Sequence, residues 1–230
     1  MTPAAPRDSQ ASAAAMEALY PFLYAGKTDL DAVLAEVRQS TVAKAREIME
    51  LRKVIATQDA GRMRACAREM ASRFEAGGRL LAFGNGGSAT DAQQIATLFL
   101  NPGGGERPLP AFGLANDTAV ITALCNDIGV EVVFARQIAA FGGQQDIAVA
   151  LSTSGNSENL LRGLDEAARR GMLTVGIAGY DGGKMSELDG LDYLFVAPSS
   201  SVHRIQEAQT TMYHALWELT LAVLGDGRRK

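Results

Sequence analysis

The chain has 230 residues, 47% hydrophobic and 21% charged, close to the averages for a soluble globular protein and enough to bury one sizeable core. Its formal net charge of −4 argues against general nucleic-acid affinity, which needs a basic surface to displace counterions from phosphates. No stretch approaches the length of an apolar membrane span. The opening MTPAAPRDSQASAAAM lacks the basic run and apolar core of a secretory signal. A cytoplasmic chain is expected, with Cys66 and Cys125, which form no CxxC pair, read as buried reduced thiols.

In chain order, residues 1–27 read as an Ala/Ser/Pro-rich disordered or extended tail. From Thr28 to about Ala76 the apolar spacing is helical: Leu30, Val33, Leu34 and Val37, then Ile48, Leu51, Val54 and Ile55. Thr28 or Asp29 is placed to cap this region, and Gly77-Gly78 to end it. Two or three N-terminal helices are expected over 28–78, packing on the core or on a neighbouring subunit. The main domain is expected over 79–224, with 225–230 as a flexible tail.

From Arg79 onward short apolar runs alternate with helical stretches. RLLAFG (79–84) precedes a helix from about Ser88, and LPAFGLA (109–115) precedes one from about Asp117. DIAVALS (146–152) is followed by a helix over about 156–170, then by LTVGIAG (173–179) and DYLFVAP (192–198). A long helix from His203 to Leu224, carrying the single Trp217, closes the pattern. Strands alternating with helices predict an α/β fold: a parallel sheet covered by helices on both faces, with right-handed crossovers.

Two connections share one design. The first is Gly84-Asn85-Gly86-Gly87-Ser88, and the second is Ser152-Thr153-Ser154-Gly155-Asn156-Ser157. In each, an apolar strand ends in small residues and hydroxyls, and a helix starts at once. Helix N-termini carry unpaired N–H groups and partial positive charge, glycine lets an anion approach the backbone, and hydroxyls add neutral donors. Helix capping alone would explain Ser88, Ser152 or Ser157 singly; two such loops on one sheet favour phosphate binding. A dinucleotide site is set aside, because no acidic residue ends the next strand at the required distance of about 20 residues. A nucleotide P-loop is set aside because GxxxxGK[ST] is missing.

At these residues the sequence resembles the SIS (sugar isomerase) family, and within it the phosphoheptose isomerases and their non-catalytic relative, a DnaA-binding replication regulator. FGNGGSATDAQ (83–93), ALCNDIG (123–129), LSTSGNSENLL (151–161), GYDGGKM (179–185) and RIQE (204–207) occur in family order. The resemblance implies a doubly wound parallel-sheet α/β sandwich of flavodoxin-like kind, assembled as a homotetramer with sites at subunit interfaces, and a sugar phosphate such as sedoheptulose 7-phosphate as ligand. It assigns phosphate binding to Ser88, Ser152, Thr153 and Ser157, within loops that include Gly86, Gly87 and Ser154. It places Asn85 and Asp127 near the sugar, and Gln206 with His214, a possible acid/base, on the terminal helix. It implies no organic cofactor.

The departures from the family pattern bear on mechanism. The helix after GNGGS carries a histidine and, four residues on, a glutamate in phosphoheptose isomerases; here those positions are Gln94 and Leu98. That spacing puts both on one helix face. Aldose–ketose isomerisation needs a positioned base and a second group to move the hydroxyl proton, and neither residue can serve. Zinc, reported for some members at the His/Glu/Gln/His set, prefers nitrogen, sulfur or carboxylate donors, and no metal is expected. His203 and His214 are too far apart on one helix to share a substrate atom. Three functions remain open: a phosphosugar-binding protein with its isomerase chemistry replaced, an oligomeric interaction or regulatory protein, and an active isomerase drawing on another base, with Glu207 or Glu131 as candidates.

Overall fold

The computed structural model describes residues 30–226. The expected N-terminal tail, the Thr28 or Asp29 cap and the last four residues lie outside the described residues.

The first element, α1, is one uninterrupted helix, Leu30–Glu75, where the sequence predicted two or three. Its 46 residues contain no proline and the single glycine Gly61, so nothing in them breaks the backbone ladder. It stops as expected: Gly77 takes a left-handed φ of 85°, and the Gly78 N–H donates to the Arg73 carbonyl at 2.9 Å. Ile48, Leu51, Ile55, Met63, Met70 and Phe74 form the buried stripe, whereas Val33, Leu34 and Val37 are exposed.

The chain continues with β1 (Leu80–Gly84), α2 (Gly87–Leu100), β2 (Ala111–Gly113), α3 (Thr118–Asp127), a 3-10 turn (Val130–Val132) and α4 (Val133–Phe141). Then come β3 (Ile147–Leu151), α5 (Glu158–Arg169), β4 (Leu173–Gly179), a 3-10 turn (Gly183–Glu187), β5 (Tyr193–Ala197) and α6 (Val202–Asp226). The single helix predicted after Asp117 is two. Asp117 does cap α3, accepting from the Val120 N–H at 3.0 Å, but Gly129, at φ 145°, breaks the run before α4. The predicted second strand shrinks to three residues because Pro110 lacks an N–H for the ladder. Helix α6 runs through Asp226, two residues into the predicted tail.

All strands pair in parallel in the order β2-β1-β3-β4-β5, the flavodoxin-like doubly wound order. Both sheet faces are covered, which explains the continuous apolar strands. Leu80 and Ala82 face one core with Ile147, Val149, Ile177 and the buried stripes of α1 and α6. Leu81 and Phe83 face the other with Ala148, Ala150, Phe134 and Leu164. The chain winds from β1 outward to β2 and from β3 the other way to β4, so the switch point lies between β1 and β3. Ligands of such sheets bind in the crevice outside the strands' carboxyl ends at that point.

Candidate functional site

Gly84 pairs in register with Leu151, so the two hydroxyl-bearing loops leave adjacent strands side by side at the switch point. Gly86, N-terminal to α2, has φ 54° and ψ −123°, a backbone that a side chain would strain. The Ser88 N–H donates to the Asn85 carbonyl at 3.0 Å, closing the turn. Among the described residues no hydrogen bond engages the N–H groups of Gly86 and Gly87.

The second loop has its carbonyls turned into the protein. The Ser152 carbonyl accepts from Gln209 Nε2 at 2.8 Å. The Thr153 carbonyl oxygen lies 2.5 Å from where a Cβ on Gly179 would stand, and that of Ser154 lies 2.3 Å from one on Gly183. A trans peptide points its N–H opposite its carbonyl, so the N–H groups of Thr153 and Ser154 face away from these neighbours. They have no hydrogen-bond partner among the described residues. The Gly155 N–H folds back to Ser152 Oγ at 3.0 Å. The segment 179–185 forms the floor: Met185 N–H donates to the Gly155 carbonyl, and Lys184 N–H to Asn156 Oδ1, each at 2.9 Å.

Capping does not account for the hydroxyls. Ser157 stands at the N-cap of α5 but makes no side-chain cap bond, and Ser88 lies inside the first turn of α2, not before it. Two helix N-termini, free N–H groups and the unbonded hydroxyls of Ser88, Thr153 and Ser157 together favour an anion; those of Ser152 and Ser154 accept from the Gly155 and Asn156 N–H groups at 3.0 and 3.3 Å. The one acidic side chain in the first turn of α5, Glu158, is paired with Arg162 at 2.7 Å.

The two loops are tied by a contact that no sequence motif announced. Asn85 and Asn159, on α5, exchange amide hydrogen bonds of 2.8 and 2.9 Å. A hollow of about 190 Å³ opens beside them, lined also by Ala89, Ile121, Cys125 and Phe134. Cys125 is exposed, contrary to the expected burial, while Cys66 is buried; burial, with Glu69 and Asp192 nearby, pushes the Cys66 thiol well up.

The terminal helix supplies Gln206, whose side-chain amide abuts Gly87. His214 lies eight residues on, about 12 Å along the axis. It is half-buried, stacked on Tyr213 with centroids 5.3 Å apart, and edge-on to Trp217 at 6.1 Å. It borders a separate depression of about 410 Å³ with Arg52, Thr210, Thr211 and Glu218. Asp127 ends α3, exposed, and accepts from its neighbour Asn126 at 2.8 Å; no hydrogen bond joins it to either loop. Thus Asn85, Gly86, Gly87, Ser88, Ser152, Thr153, Ser154, Ser157 and Gln206 gather at the switch point, whereas Asp127 and His214 stand away from it within the single chain.

Gln94 is exposed, and Leu98 is half-buried against the α1/α6 core. Both suggested replacement bases are engaged elsewhere: Glu207 pairs with Arg204, and the Glu131 carboxylate folds against Gly129. Asp91, one turn before Gln94, is half-buried and 3.5 Å from the Tyr213 hydroxyl; burial pushes its carboxyl upward against that hydrogen bond. The zinc reported for some relatives does not fit: of Gln94, Leu98, Gln206 and His214, one imidazole is the only strong donor. Among the described residues no three His, Cys, Asp or Glu side chains converge. No helix among them is long and apolar enough to cross a membrane.

A parallel sheet in flavodoxin-like order carries, at its switch point, two loops whose unbonded N–H groups suit an anion. Residues 45–179 match the SIS domain model, and the chain belongs to the SIS domain family. Within it the chain is similar to phosphoheptose isomerases. It is 43% identical over 179 residues to the phosphoheptose isomerase of Pelodictyon phaeoclathratiforme, covering 76% of this chain and 84% of that one. The solved phosphoheptose isomerase of Neisseria gonorrhoeae superposes with TM-score 0.71 at 33% identity, covering 79% of this chain and 97% of that one. That of Francisella tularensis gives 0.69 at 31%, covering 84% and 98%.

Proposed function

We propose that this chain binds a linear or cyclic C6–C7 sugar phosphate, of which sedoheptulose 7-phosphate is the leading candidate, with its phosphate held between the two loops. It does so in the cytoplasm as a homo-oligomer, a tetramer by family resemblance, and without the isomerase chemistry of its relatives. The observation that carries the reading is the juxtaposition at the β1/β3 switch point of unbonded N–H groups and hydroxyls from both loops. Replacement of the family's His and Glu by Gln94 and Leu98 supports the loss of chemistry. A general base contributes roughly 10²–10⁴-fold in rate, and neither residue takes up a proton at physiological pH.

An active isomerase is the second reading. It is favoured by the 43% identity to a phosphoheptose isomerase and by Asp91, a half-buried carboxyl on the same face of α2 as Gln94 and Leu98.

Calorimetry with sedoheptulose 7-phosphate tests the binding claim. The unmodified protein should bind, and Ser152→Ala with Ser157→Ala should weaken binding by about a hundredfold or more, since two hydrogen bonds to a charged group are lost. Equal affinity in the double variant sinks the site assignment.

A further inference from the structure

Gln209 lies one turn beyond Gln206 on α6 and is fully buried. Both hydrogens of its amide are committed: Nε2 donates to the Ser152 carbonyl at 2.8 Å and to the Ile177 carbonyl at 3.1 Å. The first carbonyl follows the last residue of β3 and the second lies within β4, and the Ser152 N–H itself donates to the Ile177 carbonyl at 3.0 Å. With its nitrogen so fixed, Oε1 faces no donor; it is one of two buried side-chain polar atoms among the described residues without a partner. An unpaired buried acceptor is costly. A methionine would fill the space beside Ile205, Ala208 and Met212 and remove that orphan, but it would leave the Ser152 carbonyl without its donor, so the glutamine answers to that carbonyl and not to packing.

The peptide after Ser152 supplies the explanation. It is trans, as are all the described peptides, so its carbonyl and its N–H point in opposite directions. Holding the Ser152 carbonyl toward α6 turns the Thr153 N–H the opposite way, away from α6, where no partner among the described residues meets it. The same grip fixes Ser152, whose Oγ anchors the Gly155 N–H. We infer that Gln209 is a positioning residue for anion binding: it locks the Ser152–Thr153 peptide with its N–H presented and couples that loop to the helix bearing Gln206. This rests on the reading that the loops hold the ligand's phosphate.

The test compares Gln209→Met, which keeps side-chain length and removes both donors, with Gln209→His, which keeps one N–H. Leu216→Ala, a cavity elsewhere in α6, controls for lost stability. Two readouts are taken: hydrogen exchange of the Ser152 and Gly155 amides without ligand, and calorimetric affinity for sedoheptulose 7-phosphate. Gln209→Met should speed that exchange and weaken affinity, each by about tenfold, the effect of losing a hydrogen bond. Gln209→His should recover part of both, and Leu216→Ala should leave affinity unchanged despite a lower melting temperature. Wild-type exchange and affinity in a folded Gln209→Met protein overturn the inference. Should that variant not fold, wild-type values of both in Gln209→His overturn it. If the unmodified protein binds no sedoheptulose 7-phosphate, the functional reading fails, and the exchange measurement alone decides whether Gln209 locks the loop.

Discussion

The side-chain amide of Gln206 lies against Gly87 so closely that a Cβ at Gly87 would stand 2.3 Å from Nε2. The next nearest atoms, also of Gln206, are 3.5 Å or more away. Gly87→Ala therefore meets only the far end of a flexible side chain, which can swing aside. Stability should change by less than about 1 kcal/mol, as at most sites without core or backbone strain. Displacing the amide from the β1–α2 loop should weaken sugar-phosphate binding about tenfold or more. Thermal melts beside calorimetry check this, and a large loss of stability with unchanged affinity refutes the contact's proposed role.

At the opposite end of the same two strands, Asp146 ties the start of β1 to the start of β3. Its carboxylate accepts from the Arg79 N–H and Arg79 Nη2, each at 2.8 Å, and from the Gly143 N–H at 2.9 Å. Burial alone would raise its carboxyl, but these bonds and the Arg79 charge outweigh it and hold the group below the usual carboxylate range. A pKa lowered by folding stabilises the native state above the unfolded value of about 3.9, and that stability is lost as pH falls through the folded value. Asp146→Asn should cost about 1–3 kcal/mol near neutrality, discounted because Arg79 is part-exposed. The gap between the two proteins should narrow in denaturant titrations below about pH 4. A gap that is constant with pH contradicts the assignment.

Val33, Leu34 and Val37 are 41, 47 and 54% exposed on one face of α1, an apolar strip that a second copy of the chain would cover. Light scattering at micromolar concentration should give about four times the chain mass. Leu34→Lys with Val37→Lys should shift the distribution toward smaller species. A stable monomer in the unmodified protein refutes the oligomer.

The strands and both loops were legible because a buried parallel strand leaves a compact apolar run, and GNGGS and STSGNS punctuate two such runs. Their adjacency was not, since β1 pairing with β3 is a long-range choice that no local pattern encodes. The continuity of α1 was missed because its apolar spacing lapses between Val37 and Ile48, though nothing there breaks a helix. Cys125 was misplaced by a generic preference for buried thiols. Gln209 did leave a trace: a glutamine amid Ile205, Ala208, Met212 and Leu216, the buried face of α6, is a polar residue in a core position. Asn159 sits likewise among Leu160, Leu161 and Leu164, but its partner Asn85 lies 74 residues away.

The last prediction concerns chemistry. The protein should hold no stoichiometric zinc and should isomerise sedoheptulose 7-phosphate slowly or not at all. Losing one general base raises a barrier by about 3–5 kcal/mol, and by the family resemblance Gln94 and Leu98 stand where a base and half of a metal set are expected. The decisive comparison is Gln94→His with Leu98→Glu, beside Asp91→Asn in the unmodified background. Gln94 is exposed, so a histidine fits; Leu98 is half-buried against the core, so a glutamate there should cost some stability, visible as a lower melting temperature. Product formation and bound metal are then measured directly. Appearance of turnover and zinc in the double variant shows that the scaffold keeps the geometry its relatives use, with only the reacting groups exchanged. If the unmodified protein already turns over near 10 s⁻¹, an ordinary enzymatic rate, the argument from Gln94 and Leu98 is wrong. Collapse of that turnover in Asp91→Asn would then identify the carboxyl beside Tyr213 as the base. Its persistence would place the base on a neighbouring subunit.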